Sequence, residues 1–472
     1  MSVDPATLER VFGPSEGTTI EARARSSERL FARGLDQLVQ ASGPTSGRLL
    51  TAREALEAYG FDKLLEVANE GSALLAPSAD AAGLPLSTRR KQLGLDERTV
   101  AARAHVTVEE VQACEASRRL PLRTYEKIGR EIGLDERFVA VKRLPTINER
   151  IALRLRNLGD EVGALGQATV ATLAEVAWVA ATQGRIADQL GLVLDRHGLE
   201  PNSNFGTSDY PAYRWGYLLA QETRRAIGRP AGEPVASMRE LIEETFGIIL
   251  IQCDLGDQIA GATIESQNHR SIVVNLSGAN RSVYVRRTTM AHELGHLLFD
   301  PVQELSTLRV DDYGELERPH EEIADAVEQR ANAFAVELLA PQEAILAHYE
   351  KSGDITETVG YFGLGPTPSK HQIRNASSGR ITPASMRVAR SDSEEWRKYS
   401  SFEGAESLAV IDFHPIPGIR PSRAGRFGAL AIRAAQERII SWDTAASWLE
   451  TTEEGAKKAA DGIRELFPSV WK

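Results

Sequence analysis

Residues 292–296 read His-Glu-Leu-Gly-His. On a helix, positions i and i+4 lie on one face, one turn apart. His292 and His296 can therefore aim both imidazoles at one point, as two nitrogen ligands of a zinc ion must. Glu293 lies about 100° round the helix from His292, so it reaches beside the metal instead of ligating it. Zinc lowers the pKa of a bound water towards neutrality, and a carboxylate at that place can take its proton. These residue types at this spacing suit hydrolysis, with Glu293 as general base.

A catalytic zinc usually keeps three protein ligands and one open position. The third must come from downstream, where Asp300, Glu304, His320, Glu321, Glu322, Asp325 and Glu328 are candidates. The spacing predicts a long helix from about Glu321 to Leu339. Glu328, Ala331, Asn332, Ala335 and Leu338 share one of its faces. That face is mostly small, so this helix can come close to the HELGH helix and bring a glutamate at its head to the metal. Asp325, one turn earlier, is placed to hold a histidine Nδ1–H.

Other elements must carry these two helices. The runs IILIQCD (248–254) and SIVVNL (271–276) read as strands, preceded by a helix around Tyr217 to Arg225 and a second helix. Met290, Leu294, Leu297, Leu298 and Phe299 make the HELGH helix at least half buried. Helix, strands, helix, helix is an α+β layout.

The segments RRTTMAHELGHLLFD (286–300) and EQRANAFAVELLAP (328–341) resemble the ImmA/IrrE metallopeptidases. Their pattern is a strand ending in Asn, an arginine-rich approach to AHELGH, then E-x-x-A-N-x-F-A-x-x-L-L-x-P. Ile272 to Asn275, Arg286, Arg287, Ala291 to His296, Glu328, Ala331, Asn332, Phe334, Ala335, Leu338, Leu339 and Pro341 match it. The resemblance covers about residues 212 to 345. It implies a zincin-like domain whose gluzincin-like site has His292, His296 and Glu328 as ligands of Zn²⁺ and Glu293 as base. Thr289 departs from the bulky residue usual before AHELGH, and Arg330 from a common second glutamate. For transition-state stabilisation, His320, Tyr313 and His371 are candidates.

Residues 85–135 carry a second pattern. Asp96 or Glu97 opens a helix, Ala104 to Val106 make a short turn, and Thr107 with Glu110 forms a capping box for the next helix. Leu95, Val100, Ala101, Val106, Val111, Cys114, Leu122, Ile128 and Ile132 supply a small core. The run GLDERTVAARAHVTVEEVQACEASRRLP resembles the helix-turn-helix of phage repressors (XRE/Cro type). The resemblance implies double-stranded DNA as partner, with the second helix in the major groove. Val108, Glu109 and Gln112 would then face bases, with Arg118, Arg119 and Arg123 following that helix. Glu97 stands where the family often has glutamine, and His105 replaces its turn glycine. Ten Lys/Arg against eight Asp/Glu leave the window only slightly positive, which weakens attraction to phosphates.

The 472-residue chain is long enough for several domains. We expect a helical region at 1–83, the helix-turn-helix at 84–142, a helical linker or bundle at 143–211, the metallopeptidase domain at 212–350 and a mixed region at 351–472. The Ala/Leu/Val-rich stretch 146–200 reads as a bundle or a homodimer surface. The fold class is α+β and mainly helical. A net charge of −11 argues against a surface that binds nucleic acid throughout. Two cysteines without metal or disulfide spacing, no spanning apolar run and no leader-like start point to the cytoplasm, with no membrane partner.

The function these readings favour is a zinc endopeptidase. The family resemblance implies limited cleavage of a repressor protein, which derepresses stress-response or mobile-element genes. The alternative is a DNA-binding regulator whose zinc domain is a sensor or partner surface. Glu293 separates the two, because a structural zinc site needs no base.

Overall fold

A computed structural model of the chain describes residues 3–43, 47–75, 82–135, 137, 165–192, 206–207, 209–266, 269–300, 308–312, 325–383 and 414–472. They are mainly helical with two four-stranded sheets, the expected α+β class. The chain divides into two compact units, Met1–Leu192 with His414–Lys472, and Val193–Phe413. Among the described residues no helix is long and apolar enough to cross a membrane.

The first unit opens with helices α1 (Pro5–Phe12) and α2 (Ile20–Ser26), then strands β1 (Leu30–Arg33), β2 (Gln37–Gln40) and β3 (Arg48–Thr51). Helices α3 (Ala52–Tyr59) and α4 (Phe61–Glu70) and strand β4 (Ser72–Leu74) follow. The antiparallel sheet has the order β3-β1-β2-β4. This corrects the expectation of a helical region at 1–83. Strands of three or four residues such as LFAR and QLVQ are too short to display a two-residue period. Their Leu, Ala, Gln and Arg are helix formers, and only pairing with neighbours makes them strands. The outer edge of β3 is closed by side chains. The Leu49 N–H donates to Asp443 Oδ2 at 2.8 Å, and Ser441 Oγ donates to the Leu49 carbonyl at 2.7 Å.

Four short helices come next, α5 (Leu84–Gln92), α6 (Glu97–Ala104), α7 (Val108–Glu115) and α8 (Leu122–Glu131). Asp96 caps α6, and Thr107 with Glu110 forms the capping box of α7. Helix α9 (Gln167–Gln189) is buried along most of its length. Its Trp178 packs edge-on against Trp448 and Phe427, with ring centroids 5.7 and 5.8 Å away. In residues 165–192, the described part of the stretch read as a bundle or a homodimer surface, this helix packs against the C-terminal helices Arg426–Gln436 and Trp442–Trp448. The expected mixed region 351–472 is accordingly divided, and its last part, from His414, folds with the N-terminal unit.

Buried ion pairs tie these pieces together. Arg48 Nε meets Glu126 Oε1 at 2.6 Å, Arg423 Nε meets Glu175 Oε1 at 2.8 Å, and Arg420 reaches both Glu175 and Glu131 at 2.9 Å. Burial alone would raise the Glu175 carboxyl, but the guanidiniums of Arg423 and Arg420 outweigh it and hold the group at about 2, against an ordinary 4.5. That difference is worth about 3 kcal/mol. Its contribution is complete above pH 4.5 and is lost as pH falls through about 2. Burial holds His414 at about 4, so acid below its ordinary 6.5 also favours unfolding. Arg423→Ala should therefore shift the acid unfolding of this unit to higher pH. Fluorescence of Trp178 and Trp448 during acid titration checks it, and an unshifted midpoint would refute the assigned role of the pair.

The second unit starts with α10 (Ala212–Ala226) and a short helical turn, then β5 (Ile249–Cys253), β6 (Ile259–Ser266) and β7 (His269–Asn275). Helix α11 (Val283–Phe299), strand β8 (Leu308–Asp312) and helix α12 (Ala326–Leu339) follow. The sheet order is β5-β7-β6-β8, with β5 parallel to β7 and the other pairs antiparallel. Helices α13 (Gln342–Ser352), α14 (Ile355–Phe362) and α15 (Pro366–Ala376) complete it. Their Ile345, Ile355, Val359, Phe362 and Ile373 join the same core as Ile272, Leu294 and Leu338, so the unit continues past residue 350.

Glycines set the helix spacing. A Cβ at Gly295 would stand 2.8 Å from the Phe334 ring, so its absence lets α12 close on α11. A Cβ at Gly216 would overlap the Arg330 carbonyl, so α10 closes on α12 from another side. At the far end of α12 the buried Glu337 accepts from Gln221 of α10 at 2.9 Å and Gln372 of α15 at 2.8 Å.

Candidate metal centre

Helix α11 carries HELGH, and every residue of it except Val285 is buried. Its two approach arginines serve structure. Arg287 donates to the carbonyls of Val235 at 2.5 Å and Gly363 at 3.1 Å, and Arg286 donates to that of Asn280 at 2.9 Å. They satisfy backbone acceptors that burial would otherwise leave costly. Asn275, at the end of β7, staples the loop between β5 and β6. Its amide donates to the carbonyls of Gly256 and Ile259, both at 2.6 Å, and its oxygen accepts from Leu255 N–H at 2.9 Å.

His292, His296 and Glu328 come together at the junction of α11 and α12, all buried. The two Nε2 atoms are 3.0 Å apart; Glu328 Oε2 is 3.3 Å from that of His292, and Oε1 3.5 Å from that of His296. Each Nδ1 faces an acceptor, Asn332 Oδ1 at 3.0 Å for His292 and Asp300 Oδ2 at 2.7 Å for His296. Those acceptors fix the ring proton on Nδ1, so both Nε2 atoms present lone pairs to each other and to a carboxylate. Three acceptors at this distance repel unless a cation lies among them. Bond lengths of about 2.0–2.1 Å around a tetrahedral zinc place its ligand atoms about 3.3 Å apart. The donor set, spacing and Nδ1 partners fit that ion.

The surroundings correct one expectation and explain another. Asp325 does not hold a histidine. It is the exposed N-cap of α12, and its carboxylate accepts from Val327 N–H at 2.8 Å. The orienting groups are Asp300, one turn beyond His296 and weighed from sequence only as a ligand, and Asn332, one turn beyond Glu328. Arg330, the departure from a second glutamate, forms a buried ion pair with Asp300 Oδ1. Thr289, the other departure, donates to Asn280 Oδ1 at 2.9 Å, and Asn280 Nδ2 donates to the Ala260 carbonyl at 2.7 Å.

Glu293 is fully buried beside β6. A Cβ on Gly261 would lie 2.6 Å from Glu293 Oε1 and 3.0 Å from Thr289 Cγ2. Gly261 thus makes room for the carboxylate, at a register shift between β6 and β8. An isolated glycine inside a strand pattern signals such a close approach, and IAGATIES carried that signal.

Residues 243–366 match the profile of the Peptidase_M78 family, described as the IrrE N-terminal-like domain. The match lies wholly within the second unit and contains HELGH, Glu328, Asp300 and Asn332. No curated protein matches the chain. Of the stabilising candidates, Tyr313 and His320 lie outside the described residues, as do Glu304, Glu321 and Glu322. His371 is on α15 and takes none of the hydrogen bonds described around the centre.

In the first unit, α6 and α7 flank His105, whose φ of 52° lies in the left-handed region where glycine is usual. Val108 is half-buried, and Glu109, Gln112, Arg118 and Arg119 are exposed. Gln112 Nε2 donates to Glu97 Oε2 at 2.6 Å. Arg123 points into its own unit, where its guanidinium meets both oxygens of Asp443 at 2.5 and 2.8 Å. That pair engages its charge within the unit, while 43% of the Arg123 side-chain surface stays exposed.

Replacing Glu328 with alanine leaves two histidines for the ion. Zinc affinity, read by competition with a chromophoric chelator, should fall by at least about 10²-fold. Unchanged affinity would place the third ligand elsewhere.

Proposed function

We propose that the protein is a zinc-dependent endopeptidase that cleaves a protein substrate, a helix-turn-helix repressor, and so releases stress-response or mobile-element genes. The observation that carries the reading is the buried His292–His296–Glu328 cluster, with the buried Glu293 next to His292 on the same helix. Zinc bound there supplies a Lewis acid and activates water. His292, His296 and Glu328 hold the ion, while Asn332 and Asp300 keep both imidazoles turned to it. Glu293 takes a proton on its carboxylate and returns it to the departing amine. The burial of α11 keeps bulk water from competing at these groups. The repressor follows from the family resemblance, and the peptidase family profile supports the reaction class.

Glu293→Gln keeps size and polarity and removes the base. Zinc content should stay near one per chain, while cleavage falls by about 10²–10⁴-fold. Mass spectrometry of candidate repressors, incubated with wild type and with this variant, reads both product and site. Equal cleavage by the two proteins would sink the mechanism.

A second activity, DNA binding by α6 and α7, is favoured by the exposed Arg118 and Arg119 that follow α7. In this reading the zinc domain is a sensor or a partner surface. Binding of genomic duplex fragments to the whole chain should be weak and strongly salt-dependent. Substituting both arginines with alanine should reduce the log–log salt slope by about 2. Fluorescence anisotropy at low salt tests it; no binding there would leave α6 and α7 as a protein-docking module.

A further inference from the structure

Asp300 closes helix α11 and divides its two carboxylate oxygens between two partners. Oδ2 accepts from His296 Nδ1–H at 2.7 Å, and Oδ1 pairs with Arg330 of α12. All three side chains are buried, with Arg330 and Asp300 each 2% exposed. Position 330 lies about 200° round α12 from Glu328, so a long side chain is needed to come back to Asp300. A short polar residue there would not reach Oδ1, and Asp300 would lose the ion pair that holds it towards α12.

We propose that Arg330 is a positioning residue of the metal centre. It acts through Asp300, fixing the carboxylate that fixes His296, and so ties the helix carrying both histidines to the helix carrying Glu328. This inference rests on the reading of His292, His296 and Glu328 as a zinc site. It assigns to this chain a coupled pair, Asp300 with Arg330, in which neither residue serves the metal properly without the other.

Charge and position give opposite signs, which makes the proposal testable. Removing a positive charge near a divalent cation, by itself, strengthens binding of that cation. Loss of the positioning contact weakens it, and removal of such orienting partners costs about 10–100-fold in metal affinity. Zinc affinity of the full-length protein is measured by chelator competition for wild type, Arg330→Gln, Arg330→Lys, Asp300→Asn and the double variant. The melting temperature of each metal-free protein serves as a control for folding.

We expect Arg330→Gln to weaken zinc by about 10-fold or more, with the lysine variant restoring part of the loss. In the Asp300→Asn background the same change should add little, because its route to the metal is already gone. Substitution by cobalt gives a second readout, since a displaced imidazole changes the visible ligand-field bands. Tighter zinc binding in Arg330→Gln, or fully additive effects in the double variant, would overturn the proposal. If Arg330→Gln fails to fold, the lysine variant and the Asp300→Asn comparison still decide it. A wild-type protein that binds no zinc would instead remove the metal reading itself.

Discussion

Three lone-pair donors held away from water, 3.0–3.5 Å from one another, are the constraint on which the second unit depends. Such a group is costly to bury. It is tolerable only if each donor is fixed from behind and a cation can be accepted in front. For the two imidazoles the first condition is met by Asn332 and Asp300. The second gives the site its chemistry. The surrounding choices follow from these needs. Gly295 and Gly216 let helices approach closely enough for α12 to deliver Glu328, and Arg286 and Arg287 satisfy backbone carbonyls so that α11 can be buried nearly whole.

The first unit is built on a different economy of charge. Its centre contains carboxylates, Glu126, Glu131 and Glu175, each met by arginine from a distant part of the chain. Removing one partner from a buried pair typically costs about 3–5 kcal/mol. The four short helices of residues 84–131 are therefore tied to the rest of their unit by charge. Glu126 is met by Arg48 from the N-terminal sheet as well as by Arg123, and Glu131 by Arg420 from the C-terminal segment as well as by Arg103. Arg123, still partly exposed, is drawn into the same network by Asp443 and Glu126.

What could be read beforehand was local or periodic. HELGH, the small face of α12, the capping box at Thr107 and the strand ending at Asn275 are all patterns within a dozen residues, and the structure shows the elements they announce. What escaped depends on distant partners. The N-terminal strands are too short to show a period, and the return of residues 414–472 to the first unit leaves no local mark. Asp325 looked well placed to orient a histidine because it shares a face with Glu328. It lies one turn too early, at a helix start whose own N–H groups claim its carboxylate. Asp300 had the better signal, an i+4 spacing from His296, but the same spacing also suits a ligand, and only the positions of Glu328 and Arg330 separate the two roles.

The electrostatics of the centre explain why a neutral amide and a carboxylate stand behind the two histidines. With all carboxylates ionised, Glu293, Glu328 and Asp300 contribute three negative charges and Arg330 one positive. These four side chains thus total two negative charges, which a divalent cation offsets. A carboxylate at 332 in place of the amide would add a third, while a neutral residue at 300 would remove the anion that Arg330 meets there. The asymmetry also divides the labour between the rings. His296, backed by an anion, is the stronger donor, and His292, backed by an amide, can be adjusted more easily. It is next to His292 in the sequence that Glu293 sits, its carboxylate filling the space that a side chain at position 261 would take.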